Sequence, residues 1–164
     1  INILRKVGGK WGNPYPVHED NWMIPGCPVN GPKLAEKNGK VAIAWFTAPE
    51  GDGRINVAFS NDLGKTFSDP IRVDNGQPQG RVDLEWQDEK TVVVSWLDAK
   101  EEYSTIVYRK IDTNGTLSKI SYVETLGGGR GIGYPQFELI GDKTLFVWTD
   151  PLEKNQIKSR WIGL

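Results

Sequence analysis

The segment Arg81-Val82-Asp83-Leu84-Glu85-Trp86 alternates charged and apolar residues, so a strand here carries Arg81, Asp83 and Glu85 on one side and Val82, Leu84 and Trp86 on the other. A face with three charges borders a wet space, where a guanidinium can hold an anion and carboxylates can exchange protons. Asp83 and Asp98 are the candidates for a pair of carboxylates able to cleave a glycosidic bond, which needs the two about 5–10 Å apart. The loop 127–133 carries Arg130 among five glycines, which let backbone pass close to a ligand or a neighbour, and it leads into Tyr134 and Gln136. The loop 17–26 holds the only His, His18, and Trp22, which is either a platform for the face of a sugar or a packing residue. Other carboxylates, Glu50, Asp52, Glu101, Glu102, Asp150 and Glu153, fall in loops where acidic residues are mostly just solvated. One His, one Cys and scattered carboxylates make no ligand spacing, so neither a metal nor a cofactor is expected.

Composition narrows the partners. With 38% hydrophobic and 25% charged residues, the 164-residue chain can bury a core and is not a disordered composition. Lys plus Arg number 20 against 21 Asp plus Glu, which leaves no field to hold a polyanion, and nucleic acid is not an expected partner. No apolar run approaches 18 residues, so no membrane span is expected. The first residue is Ile1, which suggests processing or excision from a longer chain that could have carried an export signal. Cys27 has no partner in the sequence for a disulfide and leaves the redox compartment open. Seven Trp and 19 Gly fit a turn-rich, all-β, carbohydrate-handling protein better than a helical one.

These residues sit in a repeat with a period near 51. The strand pairs 41–47 and 55–60, 91–98 and 105–110, and 144–150 and 156–161 align, with Trp45, Trp96 and Trp148 at equivalent places spaced by 51 and 52. One more apolar stretch precedes each pair, at 26–34, 80–86 and 133–140, and a fourth strand follows, as at 70–73. Four short antiparallel strands per unit of this length are the pattern of a β-propeller blade, and no 3.6-residue apolar period competes. The expected class is therefore all-β, a partial propeller of about three four-stranded blades. Residues 1–25 end one blade and lead into the next, 26–75 and 76–125 form whole blades, and 126–164 form most of another. An incomplete open sandwich is the alternative. Three blades do not close a ring, and an open arc exposes sheet faces and edges, so something must complete it.

Residues 60–67, Ser-Asn-Asp-Leu-Gly-Lys-Thr-Phe, match the whole pattern Ser-x-Asp-x-Gly-x-Thr-Phe/Trp. This octapeptide resembles the Asp-box turn repeated in sialidase-like propellers, and residues 26–32 are similar to a segment of sialidase-like bacterial Asp-box proteins. The turn's chemistry is structural. Asp62 can accept backbone N–H bonds, Gly64 permits a positive φ, Ser60 and Thr66 complete the motif, and Phe67 can plug the space between sheets. The resemblance implies a six-bladed ring of which this chain is the C-terminal half, closed by an upstream half or, less commonly, by a second copy.

In such propellers the Asp-box turns lie on one face and ligands on the other, which points to Cys27, Asn30, Arg81, Asp83, Tyr134 and Gln136 at the starts of the innermost strands. Sialidases grip the substrate carboxylate with three arginines and use a tyrosine nucleophile assisted by a glutamate, with an aspartic acid/base. By position, Arg81, Arg130 and Tyr134 are the residues onto which those roles carry over, with Asn30, Gln136 and Trp22 as further sugar contacts. The expected function is an exo-sialidase-type glycoside hydrolase fragment acting on or binding glycans, and the alternative is a non-catalytic propeller that binds glycan or protein. Whether catalysis is retained stays open, and an extracytoplasmic place follows only from that substrate class.

Overall fold

The run Val41-Ala-Ile-Ala-Trp-Phe-Thr47 is apolar at almost every position, not alternately, as expected of a strand covered on both faces. The computed structural model describes residues 1–24, 26, 28–100, 102–127, 132–151 and 155–164. Cys27 and Arg130 lie outside the described residues. The described chain is all-β, with no α-helix and a 3-10 turn at Pro49–Gly51.

The N-terminal segment forms two small ladders, β1 (Asn2–Ile3) with β4 (Tyr15–Pro16) and β2 (Lys6–Val7) with β3 (Lys10–Trp11). The first full sheet runs in the order β5 (Lys33–Lys37), β6 (Lys40–Thr47), β7 (Arg54–Ser60), β8 (Ile71–Arg72). The second repeats it with β9 (Pro78–Trp86), β10 (Thr91–Lys100), β11 (Tyr103–Asp112) and β12 (Ser121–Gly127). The third has β13 (Gln136–Ile140), β14 (Lys143–Asp150) and β15 (Gln156–Gly163). Within these three sheets all pairings are antiparallel between sequence neighbours, the up-and-down order of propeller blades. The innermost strand of the first sheet departs from expectation. It begins at Lys33, and residues 28–32 are loop, because Pro28 and Pro32 have no N–H to give to a ladder.

The sheets stack through two cores. Small residues of the first sheet, Ala35, Ala42 and Ala44, meet the large Trp86 and Trp96 of the second, and the Trp86 indole crosses the seam to donate to Ala35 O at 3.2 Å. Between the second and third sheets, Val93, Leu97, Ile106 and Tyr108 pack on Phe137, Phe146 and Trp148. Each such large apolar side chain contributes about 1.5–3 kcal/mol by leaving water. A third, smaller cluster of Ile43, Trp45 and Ala58 is covered by Ile1, Val17 and Phe67, so the N-terminal segment caps the first sheet. The Trp45 indole fixes that cap by donating to Asp20 Oδ2 at 2.7 Å.

The turn at 60–67 is built as its residue types require. Asp62 Oδ1 accepts the N–H groups of Lys65 and Thr66 at 2.9 and 3.0 Å, and Oδ2 accepts the Thr66 hydroxyl at 2.7 Å. Ser60 Oγ accepts from Gly64 N at 2.8 Å, and Gly64 takes φ +73°. The Thr66 donors, helped by Ser60 and Lys65, hold the Asp62 carboxyl far below the usual carboxylate range.

Candidate functional site

The innermost strands bring equivalent residues of successive blades to one axis. Lys33 pairs with Ala44, Asp83 with Ser95 and Gln136 with Val147, and those partners immediately precede the repeated Trp45, Trp96 and Trp148. Lys33, Asp83 and Gln136 therefore stand at one level of three adjacent blades, and Ala35, Glu85 and Glu138 at the next. Glu138 and Lys33 escaped the sequence reading. The cross-blade register, extended to the alternation Gln136-Phe137-Glu138, is the signal that finds them.

Asp83 is the hub of this axis. Its Oδ1 lies 2.8 Å from Lys33 Nζ and accepts Leu84 N at 2.9 Å, while Oδ2 accepts the backbone N–H of Phe137 at 2.8 Å. Its side chain is 0% exposed and that of Lys33 35%, which corrects the expectation that the charged side of this strand is uniformly wet. Both oxygens are engaged, and of the three charged residues only Arg81 and Glu85 are partly exposed. Burial, then the charges of Glu138 and Asp83, push the Glu85 carboxyl above its ordinary range against the pull of Lys33. Lys33, Glu85, Gln136 and Glu138 border a hollow of about 190 Å³.

Two residues above Asp83, the strand is deformed. Gly80 has φ +88° and Arg81 φ +56°, and the β9–β10 register shifts between Ser95 and Leu97, so β9 holds a bulge at Arg81. Bulges re-aim side chains, and a non-glycine residue held at positive φ costs about 1–3 kcal/mol unless its surroundings enforce it. Asn30 enforces it, accepting from Arg81 N at 3.1 Å and donating to Gln79 O at 3.0 Å. A Cβ at Gly80 would stand 2.5 Å from Asn30 Cγ, so only glycine fits under this amide.

The bulge turns Arg81 toward the third blade. Its Nη1 donates to Gly133 O, and its guanidinium lies over the Tyr134 ring with Cζ 5.3 Å from the centroid. Tyr134 is 50% exposed. Among the described residues no other acceptor takes the remaining guanidinium N–H groups, and no carboxylate meets the Tyr134 hydroxyl. The structure thus unites Arg81, Tyr134 and Asn30, with Asp83 beneath them.

The other sequence candidates lie elsewhere. Gln136 is exposed and donates from Nε2 to Pro135 O at 2.9 Å. Trp22 meets Phe46 edge to face, centroids 5.6 Å apart, in a cleft of about 570 Å³ that also holds His18 and Asp20. Asp98 sits on the opposite side of the second sheet from Asp83, facing the first blade, so the two carboxylates do not share a cavity. Its Oδ1 accepts the Trp96 indole at 2.7 Å. Burial pushes its carboxyl up, the indole opposes this, and the charge of Asp74 adds to it. Among the described residues no group of three or more His, Cys, Asp or Glu side chains is arranged to hold a metal ion. No helix among them is long and apolar enough to cross a membrane.

No family model matches the chain. No curated protein matches it either. Solved structures do. The chain is similar to Hadza microbial sialidase Hz136, at 15% identity and TM-score 0.61 over 99% of this chain and 39% of that one. It is similar to a protein of unknown function from Dyadobacter fermentans DSM 18053, at 17% identity and TM-score 0.63 over 99% of this chain and 48% of that one. The NanB sialidase from Streptococcus pneumoniae matches at 15% identity and TM-score 0.52, over 96% of this chain and 25% of that one. At these identities the likeness shows the fold, a partial β-propeller of the kind found in sialidases, and this chain spans less than half the length of each.

Proposed function

We propose that this sialidase-type propeller arc is part of a glycan-handling protein, and that Arg81 and Tyr134 form the subsite for an acidic sugar. The observation that carries this reading is the enforced bulge at Arg81, where backbone strain, the Asn30 amide and the Gly133 carbonyl aim a guanidinium over an exposed tyrosine. A planar guanidinium that keeps its charge suits bidentate capture of a sugar carboxylate, and strain of this sort collects where a ligand is gripped. In this reading Asp83 positions the subsite by linking it to Lys33 and Phe137. Arg130 is a second proposed carboxylate contact, and Gln136 and Trp22 are further proposed sugar contacts. The outward face of the third sheet, with Leu145, Val147, Ile157 and Trp161, is the proposed seat of the blade that continues the ring. An extracytoplasmic place is proposed from the ligand class.

A catalytic form of this proposal makes Tyr134 the nucleophile of an exo-sialidase. The second reading is a binding propeller without turnover, for which a guanidinium held over the exposed Tyr134 ring suffices. The test is hydrolysis of an aryl sialoside by the whole protein and by its Arg81→Ala and Tyr134→Phe variants. The catalytic form expects Tyr134→Phe to abolish turnover and Arg81→Ala to lower kcat/KM about 10–100-fold, the worth of one charge-assisted pair. Unchanged turnover in both variants sinks the assignment. Tight sialoside binding without turnover selects the binding reading.

A further inference from the structure

We infer that the cleft between the first and second blades is a separate binding site for a neutral saccharide unit. The cleft, about 560 Å³, opens between the crossing segment that holds Asn75 and Gln77 and the outer strands of the second blade. Arg109 is built into its wall. Arg109 is 8% exposed and donates from Nη1 to Val73 O at 2.9 Å and from Nε to Ser118 O at 2.9 Å, with Nη2 also on Ser118 O. These bonds tie the two blades together across the cleft and hold its shape without the ligand.

Three features of the wall match a polyol. Tyr122 leaves 75% of its surface in solvent on the outermost strand and offers a flat apolar face to the cleft. Asp98 is half-buried with Oδ1 fixed by the Trp96 indole, so Oδ2 is held ready as an acceptor for a hydroxyl. Asn75 and Gln77 supply amides that both donate and accept, and Ala99 N fixes the backbone by donating to Gln77 O at 2.9 Å. The charge here is balanced. The Arg109 donors are largely spent on carbonyls and its charge is met by that of Asp74, which leaves Lys119 and Asp98 as one cation and one anion of the wall, so the cleft has no cationic cluster that would select an anion. A neutral sugar, with one apolar face and several hydroxyls, fits this wall, and the site does not depend on Arg81.

The Trp96 indole N–H is a built-in reporter, since any ligand hydroxyl on Asp98 perturbs the acceptor it donates to. The experiment is an NMR titration of the protein with lactose, maltotriose and arabinotriose, each to about 10 mM, following the Trp96 indole and the amides of Gln77 and Tyr122. The expected result is a saturable shift with at least one of the three sugars. Tyr122→Ala and Asp98→Asn should each weaken it about tenfold, while Arg81→Ala leaves it intact. Tyr122 is exposed, so its variant is expected to fold, and unperturbed amides in the third blade verify this. No shift with any probe, or a shift that survives Tyr122→Ala undiminished, overturns the proposal.

Discussion

Asp83 Oδ2 accepts the backbone N–H of Phe137 at 2.8 Å, across 54 positions of sequence, while Oδ1 of the same carboxylate meets Lys33 Nζ at 2.8 Å. One side chain thereby ties the innermost strands of three blades and fixes the height at which Tyr134 meets Arg81. Removing it leaves a buried N–H and a half-buried ammonium without partners. Asp83→Ala is expected to cost about 3 kcal/mol of unfolding free energy in urea, and Asp83→Asn less because it still accepts one N–H. A loss below about 0.5 kcal/mol for Asp83→Ala would show that the link carries little of the fold.

The backbone at Arg81 separates stability from binding. Arg81→Ala and Arg81→Gly both remove the guanidinium, its bond to Gly133 and its stacking on Tyr134, but only glycine relieves φ +56°. Arg81→Gly is expected to be about 1 kcal/mol more stable than Arg81→Ala, with ligand affinity lost equally in both. Equal stabilities would mean that the bulge is unstrained.

Acid and base act on two carboxyls in opposite directions. The fold raises the Asp98 carboxyl above its ordinary range, so the folded state binds that proton more tightly than the unfolded chain. Its contribution to stability is full at low pH and declines as pH rises from the ordinary carboxylate value through the raised one. Trp96 and Asp74 act on it, and Arg109 and Lys119 line the same cleft. Asp62 is held low by the Thr66 donors, and its contribution is present above the ordinary carboxylate value and lost as pH falls toward its depressed one. Melting temperatures from pH 3 to pH 7 are expected to show the falling slope flattened in Asp98→Asn and the rising slope flattened in Asp62→Asn. Parallel profiles for wild type and both variants contradict these directions.

The third sheet presents Ile157 at 78% and Trp161 at 54% exposure beside Leu145 and Val147, while its other face is core. Patches like this mark docking surfaces. The 164-residue chain alone is expected to bind a dye specific for apolar surface, and Ile157→Lys with Trp161→Glu is expected to remove most of that signal without loss of melting temperature. Undiminished dye binding in the double variant places the open surface elsewhere.

Much of this was legible in the chain. Trp45, Trp96 and Trp148 marked the repeat because a residue that plugs the gap between sheets must recur once per blade, and residues 60–67 marked a turn because each of its hydrogen bonds needs a particular side chain. The strand at 26–34 was misread because apolar content outweighed Pro28 and Pro32. Asp83 was read as wet because alternation tells which residues share a side and not what covers that side. Lys33 and Glu138 are invisible without the register that sets them beside Asp83 and Glu85. Asn30 was expected to touch a ligand, and its amide is instead occupied by Gln79 and Arg81.

Calorimetric titration of the whole protein with a sialoside and with the methyl ester of the same sialoside tests the Arg81–Tyr134 subsite most directly, since the two ligands differ only in the charge of the carboxylate. The free acid should bind about 10–100-fold tighter, and Arg81→Ala should erase that preference. Equal affinity for acid and ester, or a preference that persists in Arg81→Ala, would contradict carboxylate capture by Arg81.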